Sequence, residues 1–373
     1  MSSVLRRSTG DAESFMQQSN RSADLIRDLY RQDTGYVFAK KPEEIAKEFG
    51  FAEVARLASN ENPFGPSPRA LKEAEKALCS MHRYPDTTHT NLISALRRYH
   101  GDYSFVTGVG MDGVIETCIR VLINPGDQVA ISTPTFSFYG LAAAAQGGDV
   151  THIPRNPDFS VDIPSFIASA RKAKISFLCT PNNPSGTVTP VSDIEEILKN
   201  IDGILFLDNA YVEFSPVDYR DLMNRYDNLI IGRTMSKVFG LAGCRVGYAF
   251  VPDWFRPVYE KAATPFTLNT ISAAAAVGAL EDHEYIDRTI AYVKKWRDIF
   301  TKESGKTILP SGANFVMIDV TPLTGDQATD FFAQNGVLVR SCRSFPGLAD
   351  HYIRVCIGEE WENNRFIEVF RRL

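Results

Sequence analysis

The 373-residue sequence has no apolar run of the eighteen or so residues that a membrane-crossing helix requires, so a spanning segment of that kind is not expected. It has no surplus of basic charge either. With 40 Lys and Arg against 45 Asp and Glu the formal charge is −5, which leaves no basic face for nucleic acid or an anionic membrane. The cysteines at 79, 118, 179, 244, 342 and 356 have neither CxxC spacing nor the density of a disulfide scaffold, and read as reduced thiols. The histidines at 82, 89, 100, 152, 283 and 351 form no HExxH or comparable pattern, so no metal is expected. There is no GxxxxGK[ST] loop for a nucleotide and no repeat of fixed period. Arg6, Arg7, Asp11 and Glu13 stand where a signal peptide is apolar, so the expectation is a soluble, cytoplasmic protein.

What remains is an ordinary globular composition, 44% apolar and 23% charged, in a chain longer than one core sustains. Residues 1 to about 22 are polar, and SADLIRDLY then has the pattern of an amphipathic helix capped by Ser22. From Asn60 to about Thr264 short apolar runs alternate with helical segments: GVIETCIRVLI, QVAIS, FYGLAAAAQ, ISFLCT, DIEEILKN, GILFLD, NLIIGRT. Such alternation predicts an α/β domain with a mostly parallel sheet flanked by helices. SAAAAVGALEDHEYIDRTIAYVKKWRDIFTKES predicts a long proline-free helix, and NFVMIDV, a helix from about Gly325, VLVRSC, HYIRVCIG and a closing helix predict a smaller α+β unit. The expected organisation is an extension over 1–35, a large domain over 60–265, and a small domain built from 36–59 and 266–373.

In open parallel sheets ligands collect beyond the carboxyl ends of the strands, and three apolar runs end on reactive residues. ISFLCT leads into PNNPSGT, GILFL into DNAY, and NLIIGRT into MSK. Taken singly each has an ordinary explanation: PNNPSG as a turn, Asp208 as a helix cap, Lys237 as a solvent-directed cation, and Arg245 as the partner of a surface carboxylate. Together they ask for one ligand that combines an aldehyde, a cationic ring nitrogen, a ring oxygen and a phosphate, and pyridoxal 5'-phosphate has all four. On that reading Lys237 takes the aldehyde, Asp208 faces the ring nitrogen, and Asn183 with Tyr211 donates to the ring oxygen. GVGMDGVIE offers the backbone N–H groups of Gly110, Met111 and Asp112 at a helix start for the phosphate, with Thr234, Ser236 and Arg245 beside them. Phe136 either stacks on the ring or belongs to the core. Arg340 and Arg354, each near a strand, present forks suited to a carboxylate or phosphate of the substrate.

The motifs SNENPFGPSP, HRYPD, TPNNPSGT, DNAY, RTMSKVFGLAGCRVGY and GANFV, in that order, resemble the fold-type I aminotransferases, most closely those acting on histidinol phosphate. The resemblance covers roughly residues 36 to 373. It implies Lys237 as the Schiff-base lysine, Asp208 at the pyridine nitrogen, and Tyr211, Asn183 and Arg245 around the cofactor. It also implies a homodimer with composite sites, in which Tyr84 reaches the partner's phosphate site. Arg354 then grips the substrate carboxylate, Arg340 lies near the substrate side chain, Tyr36 of the N-terminal arm touches substrate, and Asn62 sits at the rim. The implied reaction is transamination between L-histidinol phosphate and 2-oxoglutarate. An aromatic amino-acid aminotransferase and a threonine-phosphate decarboxylase of the same fold are the alternatives. Three positions depart from the common pattern: Asn209 where many relatives carry an acid, Met111 where the residue is usually small, and Gly113 where it is usually acidic.

Overall fold

The computed structural model describes residues 23–31, 35, 40–303 and 308–373. Contacts divide the chain into two compact units, Met1–Tyr36 and Val37–Leu373. In the first, Ala23–Leu25 and Asp28–Arg31 are separate 3-10 turns, where the periodicity of SADLIRDLY predicts one helix. Arg31 donates to the carbonyls of Asp24 and Ile26, and Leu25 is 85% exposed. So short a segment with no packed apolar face lacks what sustains an α-helix.

The second unit carries twelve strands among the described residues: β1 (Ala55–Arg56), β2 (Phe105–Val109), β3 (Gln128–Thr133), β4 (Asp149–Pro154), β5 (Ile175–Cys179), β6 (Ile204–Asp208), β7 (Leu229–Thr234), β8 (Val246–Phe250), β9 (Phe315–Asp319), β10 (Val337–Leu338), β11 (Arg340–Ser341) and β12 (Tyr352–Cys356). Seven of them form one sheet in the order β2-β8-β7-β6-β5-β3-β4. It is parallel except for β8, which runs against both β2 and β7. Every residue of β5, β6, β7 and β8 is buried, as expected for continuous apolar runs covered on both faces. Phe177 and Phe206 fill one side of this sheet, Leu178 and Leu207 the other.

The remaining strands make an antiparallel sheet, β11-β12-β9, and the parallel pair β1-β10. VLVRSC is therefore divided between two sheets. The long helix expected after Thr270 is also divided, into Thr270–Leu280 and His283–Glu303. The first is buried along its length, with Gly278 against the Arg69 carbonyl, whereas the second buries a single stripe that includes Ile286, Val293 and Phe300. Two burial patterns need two directions. Asp282 at the junction places a carboxylate at the positive end of the second helix.

Candidate active site

Strands β5, β6 and β7 lie side by side, so their carboxyl ends present Cys179, Asp208 and Thr234 at one edge; Cys179 is in register with Asp208 and Asp208 with Gly232. After β5 the chain turns through PNNPSG. Asn182 ties the turn down, donating to the Pro134 carbonyl (3.1 Å) and to Ser185 Oγ (2.8 Å). Asn183 is thereby left facing the site, where its Oδ1 accepts from Arg354 Nη1 at 2.6 Å.

Asp208 is buried. Its Oδ1 accepts the Ala210 N–H at 2.9 Å and its Oδ2 accepts the Tyr139 hydroxyl. Burial pushes its carboxyl up to about 6, with the Tyr139 and Ala210 bonds opposing that rise. Lys237 follows β7; its Nζ donates to the Asn60 carbonyl (3.2 Å) and stands 5.5 Å from the centre of the Tyr211 ring. Burial, then the Arg354 guanidinium, brings the amine down to about 8. Tyr211 accepts from Asn60 Nδ2 at 3.1 Å and packs edge-on to Phe315. Arg354 also donates to the Ala58 carbonyl at 2.7 Å, while its buried Nε has no partner among the described residues. Asn60 thus joins Lys237 to Tyr211, and Arg354 bonds to Asn183.

At the end of β2 the Gly110 loop approaches Arg245. Gly110 has φ +68°, and a Cβ there would lie 2.5 Å from Arg245 Nη2; a Cβ on Gly247 would lie 2.3 Å from the Gly110 carbonyl carbon. Only glycine permits this approach of the loop to β8 and Arg245. Arg245, itself left-handed at φ 51°, pairs with Asp112 at 2.8 Å. Thr234 Oγ1 donates to Ser236 Oγ and accepts the Ser236 N–H. Met111 is buried against Gly232, whose absent side chain makes room for its sulfur. Gly113 stacks on Val109, and Phe136 lies half-buried against Phe138 and Tyr139.

The other expected residues are more dispersed. Arg340 in β11 is in register with Arg354 and donates to Ser344 Oγ at 3.3 Å. Asn62 donates to the carbonyls of Lys237 (3.1 Å) and Val238 (2.8 Å), holding the backbone that carries the lysine. Tyr84 is 83% exposed and stacks on Phe266, apart from this group within the chain. Tyr36 falls outside the described residues.

Sequence reasoning missed Tyr139, Asn60 and Asn314. Asn314 Nδ2 donates to the Asn60 carbonyl at 3.1 Å, bracing the point that Lys237 also touches. Each stands in or beside a motif already singled out, but a polar residue that braces another carries no periodicity to betray it. At Asn209 the departure from an acid has a local reason: its Nδ2 donates to the Thr180 carbonyl at 2.7 Å, which a carboxylate cannot do.

These residues fit pyridoxal 5'-phosphate. Asp208 is a buried acid with no ion-pair partner among the described residues, which suits a protonated ring nitrogen. Lys237 is an amine lowered toward neutrality, as condensation with an aldehyde requires. The Gly110 loop and Arg245 have the chemistry to receive an anion, and Asn60 Oδ1 and Arg354 Nε, without hydrogen-bond partners among the described residues, leave polar capacity elsewhere.

Comparison with known proteins gives the same picture. The chain is 59% identical over 349 residues to histidinol-phosphate aminotransferase of Methanoculleus marisnigri, covering 94% of this chain and 99% of that one. It is 57% identical to the protein of that name from Methanocorpusculum labreanum, covering 91% and 97%. The solved structure of histidinol-phosphate aminotransferase from Sinorhizobium meliloti in complex with pyridoxal-5'-phosphate superposes with a TM-score of 0.82 at 27% identity, over 93% of this chain and 98% of that one. Residues 52–370 match the family described as aminotransferase class I and II, and the chain belongs to that family.

Proposed function

We propose that the protein transfers the amino group of L-histidinol phosphate to 2-oxoglutarate, giving imidazole acetol phosphate and L-glutamate in histidine biosynthesis in the cytoplasm. The observation that carries the reading is the convergence of Lys237, Asp208, Asn183, Tyr211 and Arg354 at the strand ends, in a chain 59% identical to a protein of that name.

Pyridoxal 5'-phosphate, when bound, supplies the aldehyde that takes the amino group and a ring that accepts the electron pair of the broken Cα–H bond. The chain's own residues do the rest. Asp208, anionic beside a ring cation, keeps the nitrogen protonated. Asn183 and Tyr211 offer donors to the ring oxygen, and the Gly110 loop with Thr234, Ser236 and Arg245 anchors the phosphate. Lys237 Nζ, lowered to about 8, is available as a neutral base that removes the proton from the donor Cα. Arg354 and Arg340 give two cationic anchors, for the phosphate of histidinol phosphate in one half-reaction and the carboxylates of 2-oxoglutarate and glutamate in the other. Tyr84, exposed and braced by Phe266, belongs on this reading to the neighbouring subunit's site in a homodimer.

A panel of donors assayed with 2-oxoglutarate tests the assignment. Histidinol phosphate is expected to outpace phenylalanine and phosphothreonine in kcat/KM by at least about a hundredfold, the discrimination that a desolvated charged contact confers. Faster turnover of phenylalanine, or carbon dioxide release from phosphothreonine without an oxo acid, would contradict it.

A further inference from the structure

Tyr139 stands in the first turn of the helix Phe138–Gln146 and is fully buried. Its ring stacks on Phe177 of β5, with centres 4.9 Å and planes 7° apart, and meets Phe136 edge-on at 5.6 Å. These contacts fix the plane of the phenol and so the line along which its oxygen lies. On that line the hydroxyl donates to Asp208 Oδ2, while Asp208 Oδ1 takes the Ala210 N–H at 2.9 Å. A donor on each oxygen stops the carboxylate from rotating and leaves its remaining lone pairs for the site.

A hydroxyl can also accept, so its surroundings decide which form of Asp208 it suits. Were Asp208 to keep a proton on Oδ2 and donate it to the phenol, the phenol's own hydrogen would need another acceptor. The one at hand is the Cys179 thiol, a weak acceptor whose own proton goes to the Pro181 carbonyl at 3.3 Å. With Asp208 ionised, hydroxyl and carboxylate both have good partners. The donor is itself uncharged, since burial and then the Asp208 charge push the phenol well above its usual range. A cationic donor in this place would neutralise Asp208 and compete with a ring cation, whereas a phenol supports the charge and leaves it unmatched. The other groups that face Asp208 are Asp112, Lys237, Tyr211 and Cys179.

We propose that Tyr139 is a positioning residue for the reaction: a fixed, uncharged donor that turns Asp208 toward the ring cation and holds it as an anion without neutralising it. The inference rests on the reading of Asp208 as the partner of the cofactor ring. It assigns the role to the hydroxyl alone, because the contacts of the ring with Phe136 and Phe177 are packing that phenylalanine would keep.

The test is the affinity of the cofactor-free full chain for pyridoxamine 5'-phosphate, measured by equilibrium dialysis from pH 5 to 8. This probe has the ring nitrogen and the phosphate but no aldehyde for Lys237, and its own titration is common to all variants and drops out of their comparison. Wild type should lose affinity on acidification as Asp208 takes up a proton. Tyr139→Phe should move that loss up by about one pH unit, which is about tenfold weaker binding within the window. In Asp208→Asn the midpoint should be absent, and adding Tyr139→Phe to it should change the affinity by less than about twofold. Thermal melts without ligand give a second reading: the loss of stability as pH rises through the Asp208 value should run about one pH unit further up in Tyr139→Phe. A Tyr139→Phe variant that titrates like wild type, or a tenfold loss that persists in the Asp208→Asn background, would overturn the proposal. If Tyr139→Phe does not fold, Tyr139→Met, which also removes the donor, takes its place with the same expected shift. A midpoint that survives Asp208→Asn would instead remove the reading of Asp208 as the partner of the ring.

Discussion

Two groups of buried charge lie on this sheet, and they are built on opposite principles. Around Arg233 in β7 the charges are matched: Arg233 pairs with Asp218 at 2.6 Å and with Glu213 at 3.9 Å, and Arg220 also reaches Asp218. His100 stays neutral there, pushed down to about 2 by burial and by the Arg233 charge, and bonds to Tyr248. At the strand ends, Lys237, Asp208 and Arg354 have no ion-pair partner among the described residues and bond instead to carbonyls, an amide and a hydroxyl. Matched buried charge holds a fold; unmatched buried charge, aimed at one spot, is a site for a ligand that carries the missing charges.

That contrast is broken most severely at Lys237. Lys237→Ala removes the amine proposed to take the cofactor aldehyde, and should lower kcat by more than about a thousandfold with loss of the cofactor's visible absorbance. Its Tm should stay within a few degrees of wild type, because the lysine has no charge partner to strand. Arg233→Met should do the reverse. It leaves the buried Glu213 without its counter-charge, at a cost of about 3–5 kcal/mol read by chemical denaturation. The variant that still folds should retain cofactor absorbance. If Arg233→Met were stable and Lys237→Ala unfolded, the division between the two clusters would fail.

The same contrast explains how much was legible beforehand. β5, β6 and β7 announce themselves as apolar runs, and the residues that end them carry unusual chemistry, so Asp208, Asn183 and Lys237 could be picked out by position. Arg233 lies in NLIIGRT and Glu213 in DNAYVEF, next to those residues, yet nothing in the sequence says that one pairs with the other across twenty positions. Tyr139 is hidden for the same reason: its partner is set by strand order, β6-β5-β3, which the order of residues does not reveal. The break at Glu281 and Asp282 was invisible because both flanking segments have good helical character, and only the direction of packing separates them.

Acid strength sharpens the comparison further. Glu213 is pushed by burial from 4.5 up to about 7, against the pull of Arg233. Between those values the folded chain keeps a proton that the unfolded chain has released, so stability falls as pH rises through that window, by at most about 3 kcal/mol. Asp208, raised from 3.8 to about 6, adds a slope of the same sign in cofactor-free protein. Thermal melts from pH 4 to 8 should show both slopes. Bound cofactor, by supplying a cation to Asp208, should remove that residue's part alone, whereas Glu213→Gln should remove the other. A slope that cofactor leaves untouched would mean that Asp208 does not face the ring.

The smallest effect is expected at Asn209, which lies beside Asp208 yet belongs to the matched kind of packing. Its Nδ2 bonds to the Thr180 carbonyl and its N–H to the Gly232 carbonyl, clamping β6 between its neighbours at the point where Asp208 projects. Asn209→Asp keeps the shape but turns a donor into an acceptor facing another acceptor, at a cost of about 1–2 kcal/mol at neutral pH. A protonated aspartic acid can still donate to Thr180, so the loss should shrink as pH falls and grow as it rises, and denaturation midpoints at pH 5 and pH 8 measure that difference. kcat should change less than threefold, since the second bond of Asn209 runs through its backbone and survives. A pH-independent loss would place the cost in packing and not in the Thr180 bond.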